Sequence, residues 1–372
     1  MWRRLQSWPD WKIALVLAAV LRVFYSALAA ALSLVLHPDP AIIHGNSLTE
    51  NLATPGTWHY ALIGIWERFD TLWYLRIAQH GYDFRRAVIF YPLYPATIHV
   101  VSWVFPATVA ALVVSTVGAF FFFWGLLRLG RKSLGNAPAL CMLLLVCVWP
   151  TSFILFAGYA ESLTLALMVW AVVFARGGLW WPATVCGVLA GVARPSGVLV
   201  AIPLALLALS TRRIASALVL LTPVGLFTYW GWLRWSGRLS VVEAYRIYQE
   251  MPMAPPWTTL GEILRLIAVE HDELLAIKLL LVLLVAALSL QREVRFEDKV
   301  FALAVIAQML MYSGHPLLGA SRYLLAVYPA FIVLGGYAER RWNGKQFAFY
   351  LTAFGLLNLV WMWAFLNWSL VF

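Results

Sequence analysis

Residues 66–95 read WERFDTLWYLRIAQHGYDFRRAVIFYPLYP, a polar, aromatic and charged stretch in a chain that is otherwise mostly apolar. To either side lie runs such as IALVLAAVLRVFYSALAAALSLVL (13–36) and FYLTAFGLLNLVWMWAFL (349–366). A bilayer is crossed by a helix of about 20 apolar residues, and runs of that length recur from end to end. The chain is 63% hydrophobic and 12% charged, a balance outside that of ordinary soluble domains. Lipid leaves every spanning backbone to satisfy its own hydrogen bonds, so only helices or closed barrels cross it. Alternating strands of barrel length are not visible, and the fold class expected is an all-α polytopic membrane protein.

Apolar periodicity places helices near 13–36, 106–127, 137–157, 159–175, 214–233, 275–290, 300–314, 321–338 and 347–366, with a bent or paired unit over 180–210. The expectation is a single domain over 1–372, a bundle of about 10–11 transmembrane helices. Basic clusters then fall on one side: Arg3, Arg4 and Lys12; Arg128, Arg131 and Lys132; Arg176; Arg212 and Arg213; Arg292, Arg295 and Lys299; Arg340, Arg341 and Lys345. By the positive-inside rule this side, with the N-terminus, is cytoplasmic. The formal net charge of +10 therefore reports topology, and nothing in it points to nucleic acid. Arg176 and Arg212 share a side only if 180–210 turns back at Arg194-Pro195-Ser196-Gly197, where proline disfavours helix at the residue before it. The first helix, preceded by bases and interrupted by Arg22, reads as an uncleaved anchor. Cys141, Cys147 and Cys186 lie in apolar segments and read as buried small hydrophobes.

The opposite side gathers the outer segments 37–105 and 234–274 and the turns at AGYAES, ARPSG and HPLLGASR. WERFDTLWYLRIAQHGY reads as one amphipathic helix capped by Gly81, its Trp66, Phe69, Trp73 and Ile77 forming a face suited to the lipid interface. FYPLYP, with Pro92 and Pro95, is expected to hold an extended or bent backbone with its rings packed close. For Asp70 two readings stand: a pair with Arg68 or Arg76, or a reactive carboxylate on the apolar side of the helix. Glu161 opens a helix, where its charge suits the dipole. Arg194 and Arg322, at the edges of long apolar runs, need an anion, supplied by Glu161 or by a bound phosphate. His315 is a polar turn residue that could also donate to a phosphate. His37, Asp39 and His44 include metal-ligand types without a fixed geometry, and read as a solvated loop. Walker A, H-E-x-x-H and G-x-S-x-G patterns are absent, so nucleotide hydrolysis, zinc proteolysis and esterase chemistry lack their signatures.

RFDTLWYLRIAQHGYD followed by FYPLYP resembles a block of the PIG-V-like mannosyltransferases, whose eukaryotic members add the second mannose in glycosylphosphatidylinositol assembly. AGYAESL, ARPSGVL and SRYLLAVYP resemble that family's later blocks, in the same order, over about 66–330. Phe69 stands where that family has Trp, and Pro195-Ser196 where it has Ser-Asn. The resemblance implies a GT-C membrane glycosyltransferase that takes sugar from a polyprenyl-phosphate carrier on the non-cytoplasmic face and delivers it to a glycolipid or glycan. Asp70 would be the catalytic base, and Arg194, Arg322 and His315 would bind the donor phosphate. Trp66, Tyr74, Tyr91, Tyr94 and Glu161 would contact substrate, with no metal or cofactor required. The chain is shorter than typical eukaryotic members, which fits a bacterial plasma-membrane enzyme. The alternative from another class is a non-catalytic transporter or flippase of lipid-linked sugar using the same cavity.

Overall fold

The computed structural model describes residues 7–36, 48, 55–211 and 213–369. Arg3, Arg4, Arg212 and the loop carrying His37, Asp39 and His44 lie outside the described residues. All regular elements described are helical. In chain order they are α1 Asp10–Leu32, α2 Trp58–Leu62, α3 Asp70–His80, α4 Leu93–Val101, α5 Ala107–Leu134 and α6 Asn136–Cys147. Next come α7 Glu161–Arg176, α8 Trp180–Ala193, α9 Ala201–Thr211, α10 Val224–Trp235, α11 Val241–Tyr248 and α12 Pro256–Glu270. The chain closes with α13 Glu273–Ser289, α14 Phe296–Met309, α15 Ala320–Tyr323, α16 Tyr328–Arg341 and α17 Gly344–Leu366.

Among the described residues, Asp10–Leu32, Ala107–Leu134, Ile214–Trp235 and Gly344–Leu366 are long and apolar enough to cross a membrane, the third of them a 3-10 stretch that passes into α10 at Pro223. The other expected spans are shorter or broken, and prolines mark several breaks. The run 137–157 stops its α-helix at Cys147, ahead of Trp149-Pro150, and resumes as a tight turn over Ser152–Phe156. The unit over 180–210 is two half-helices. Arg194 is extended at φ −157°, ψ 153°, Pro195–Val200 forms a 3-10 turn, and α9 follows.

The 66–95 segment differs from its sequence reading in three ways. The helix begins at Asp70 and not at Trp66, because Phe69 takes φ 45°, ψ −115°, which no helix continues through; Gly81 at φ 71° ends it as expected. Its apolar face does not lie in lipid. Trp66, Trp73 and Ile77 are buried within the protein. FYPLYP is not extended throughout: Phe90 is, but Pro92 precedes Leu93–Val101 and Pro95 falls in that helix's first turn, where a missing N–H costs nothing. The rings do pack close, with Tyr74 to Phe90 centroids at 5.2 Å and Tyr74 to Tyr94 at 4.8 Å.

Two large apolar clusters and a small third around Cys141, Leu145 and Ala338 build the core among the described residues. The largest joins α1, α5, α6, α7 and α16 through side chains such as Phe122, Phe123, Val172 and Phe331. The second packs α3 and α4 against α10 through Trp73, Tyr94, Ile98 and Tyr229. Phe69 belongs to the first and Trp73 to the second, so Asp70 sits at the seam. Helix α5 holds α7 at close range through Gly118, where an added Cβ would stand 2.8 Å from the Leu163 nitrogen and from Ser162 Oγ. Gly118→Val therefore has no room and should destabilise by about 1–3 kcal/mol. Gly231→Val, where a Cβ meets nothing within 4 Å, should be neutral. Thermal unfolding of the detergent-purified variants checks both; equal melting temperatures would mean α5 and α7 yield at no cost.

Candidate functional site

The seam opens into a cavity of about 640 Å³ lined by α3, the 85–91 segment, the 157–161 turn, Arg194, α11, α14 and the 317–323 turn. Its charged side chains are Asp70, Arg86, Glu161, Arg194 and Arg322. Each enters for a local reason. The Asp70 N–H donates to Tyr159 Oη at 3.3 Å, and Thr71 Oγ1 donates to Ala157 O at 2.8 Å, so the start of α3 is tied to the turn before α7. Gly158, at φ 78°, would bring a Cβ to 3.0 Å from Thr71 Cγ2. That turn delivers Glu161 as the first residue of α7, at the positive end of the helix. Arg194 projects from the break before Pro195, and Arg322 from the turn that Gly319 starts at φ 74°. Behind Arg322, Trp149 Nε1 donates to Ser321 O at 2.8 Å, and Asn358 Nδ2 donates to Trp149 O at 2.7 Å.

These groups form one ion network. Arg322 Nη1 donates to Asp70 Oδ2 at 3.2 Å, and its Nε stands 3.0 Å from Glu161 Oε1. Arg194 Nη1 closes on the same Glu161 oxygen, while Glu161 Oε2 is buried without a hydrogen bond. Tyr323 Oη lies 3.3 Å from Arg322 Nη2 and 3.4 Å from Arg194 Nη2. The carboxylates differ in access: Asp70 keeps 29% of its side-chain surface exposed and Glu161 5%. A reacting group can therefore reach Asp70, whereas Glu161 acts as an internal counter-charge.

The pairing expected for Asp70 is corrected. Arg68 is buried, donating to Leu366 O at 3.1 Å and to Tyr60 Oη at 2.7 Å, and Arg76 pairs with Asp83 at 2.7 Å. Burial alone would push the Asp83 carboxyl up, but the two-pronged hydrogen bond and charge of Arg76 outweigh it and hold it below its usual range. Of the other expected site residues, Tyr74 and Tyr91 line the cavity. Trp66 and Tyr94 do not: Trp66 packs in the larger core under Arg22, and Tyr94 Oη donates into α5 at Ala111 O. His315 is exposed and outside the lining. The sequence reading passed over Arg86, Tyr159, Tyr323, Tyr245 and Tyr312, which do line it. Tyr159 and Tyr323 adjoin motif residues in AGYAES and SRY and were visible there; Tyr245 and Tyr312 carried no signal.

Removing one partner from a buried ion pair strands the other charge. Arg322→Ala, which leaves both Asp70 and Glu161 short of a cation, should lower unfolding stability by about 3–5 kcal/mol. Glu161→Gln in the same chain should cost much less than the sum of the single changes, since fewer charges are stranded. Denaturation of the four proteins of this cycle gives the coupling, and strict additivity would show that the two side chains act independently.

No protein-family description matches the chain, and no curated protein matches it. Among solved structures, ArnT from Cupriavidus metallidurans bound to undecaprenyl phosphate superposes with a TM-score of 0.50 at 13% identity, covering 93% of this chain and 76% of that one. The apo structure of the same protein gives 0.48 at 13% identity, covering 80% and 70%. Identity this low speaks to architecture alone. The chain is an integral membrane protein whose all-α bundle resembles the GT-C fold of ArnT.

Proposed function

We propose that the chain is an inverting glycosyltransferase, moving a sugar from a polyprenyl-phosphate carrier to a hydroxyl of a lipid or glycan acceptor on the non-cytoplasmic face. Mannose is the proposed sugar, from the resemblance of the motif blocks. The observation that carries the reading is Asp70: a partly accessible cavity carboxylate held in place by Arg322, with Glu161 and Arg194 behind it. The likeness to ArnT, solved with undecaprenyl phosphate bound, supports a carrier of that chemical class.

Asp70 takes the proton of the acceptor hydroxyl as that oxygen attacks the anomeric carbon. The bond from that carbon to the phosphate oxygen breaks on the opposite face, and the configuration inverts. Asp70 loses one negative charge as the departing phosphate gains one. Arg322, bound to Asp70 at 3.2 Å, is released by that proton transfer and can follow the charge to the phosphate. Arg194 acts through Glu161, holding its charge so that Glu161 does not take Arg322 alone.

With purified protein and synthetic polyprenyl-phosphate-mannose, Asp70→Asn should reduce release of polyprenyl phosphate by roughly 10²–10⁴-fold, the usual contribution of a general base, while donor binding persists. Normal turnover in Asp70→Asn would remove the base. Donor binding without any turnover in the wild type would favour the transporter reading. The sidedness has its own check. Ser196 lines the cavity and Ser210 is exposed at the far end of α9, a path of roughly 23 Å along the 3-10 turn and helix, most of the bilayer core thickness. An impermeant thiol reagent added outside intact cells should label Ser196→Cys and spare Ser210→Cys; labelling at Ser210 would reverse the sidedness.

A further inference from the structure

Charge pairing in the cavity leaves one cation over. Asp70, Glu161, Arg194 and Arg322 neutralise one another within their own network. Arg86 is the remaining charged side chain of the lining, and no carboxylate pairs with it among the described residues. Its Nε is buried without a hydrogen-bond partner, an arrangement that costs free energy unless something completes it. Its position is set nonetheless. The guanidinium lies 5.3 Å from the Trp73 ring centre, and Trp73 stacks in turn on Phe90 at 5.6 Å and 12°. Burial pulls the Arg86 pKa down, and the charge of Asp70 offsets only part of that. A self-neutral network attracts an anion weakly, whereas a held, unpaired guanidinium a short way from Asp70 attracts it strongly and offers a bidentate fork.

We infer that Arg86 is the principal phosphate-binding residue of the cavity, taking a phosphate ester carried by a lipid. This rests on the transferase reading for the identity of the lipid, but not for the anion itself. It also changes the sequence-based roles: Arg194 becomes a positioning residue for Glu161, and Arg322 engages phosphate only as Asp70 gives up its charge. The carrier lipid and an acceptor phospholipid present the same phosphate chemistry, so the test separates them.

Binding is measured on the full chain in detergent for wild type, Arg86→Gln and Arg86→Lys, with polyprenyl phosphate, neutral polyprenol, phosphatidic acid and inorganic phosphate as probes. A charge-assisted hydrogen bond is worth enough that Arg86→Gln should weaken polyprenyl phosphate by roughly tenfold or more, with Arg86→Lys between and polyprenol unchanged. If the Arg86-dependent probe is phosphatidic acid and polyprenyl phosphate does not bind, the lipid-phosphate assignment stands and the donor proposed above falls. Dependence confined to inorganic phosphate would overturn the lipid assignment. Unchanged affinity for all phosphate probes in an Arg86→Gln protein with wild-type melting temperature would overturn it too, as would a wild type that binds polyprenol as tightly as polyprenyl phosphate.

Discussion

A carboxylate buried at the start of α7 sets the terms for this site. Glu161 is almost wholly removed from water, and a lone charge there would cost several kcal/mol or lose its ionisation. Arg194 and Arg322 both close on its Oε1, from parts of the chain separated by α9 to α14. Like charges meeting on one oxygen would repel without a second anion, and Asp70 supplies it through Arg322. The network thus fixes the mutual placement of α3, α7, the break before Pro195 and the turn before α16. The fold brings reactive groups together because their separation would leave charges unpaired in a medium that cannot solvate them.

Packing prepares those placements before the charges act. Gly118 lets α5 approach the Ser162-Leu163 backbone, which seats Glu161, and the Thr71 hydroxyl on Ala157 O ties α3 to the same turn. On the far wall, Tyr25 Oη donates to Asn358 Oδ1 at 3.0 Å, and Asn358 passes the constraint to Trp149 and so to the backbone at Ser321. Each is a neutral hydrogen bond worth about 1 kcal/mol net. Their value to the site is directional: they hold a carbonyl or an amide where the adjacent charged side chain needs it.

The elements most legible in the sequence were those governed by a local rule. Apolar runs located the helices, Pro195 foretold the break at Arg194, and Gly81 marked the end of α3. The start of α3 was missed because the positive φ of Phe69 is imposed by distant rings, and hydrophobic periodicity runs through it undisturbed. Likewise Pro95 read as a helix breaker although the first turn tolerates it. In the site, Asp70, Glu161, Arg194 and Arg322 were visible as charges where charge is expensive. Which of them would pair was not, since Arg68 and Arg76 lie nearer to Asp70 in sequence than Arg322 does, yet are claimed instead by Leu366 O, Tyr60 and Asp83. Arg86 drew no notice in FRRAVIF because its distinction is the lack of a partner, a property only the assembled cavity possesses.

Phe69 shows how far the support for Asp70 reaches. A non-glycine residue at φ 45° stores about 1–3 kcal/mol and persists only where its surroundings hold it. Here the ring is pinned by Phe365 at 5.7 Å and Trp368 at 5.4 Å, at the end of α17. Arg68, one residue earlier, donates to Leu366 O and lies over the Trp368 ring at 4.8 Å. The last turn of α17 and Trp368 just beyond it therefore grip both residues that precede Asp70. That grip turns the backbone sharply enough for a helix to begin at Asp70, placing its amide on Tyr159 and its carboxylate on Arg322. The Asp70 carboxylate is thus aimed by residues almost three hundred positions further along the chain, and α17 supports the site although it does not line it.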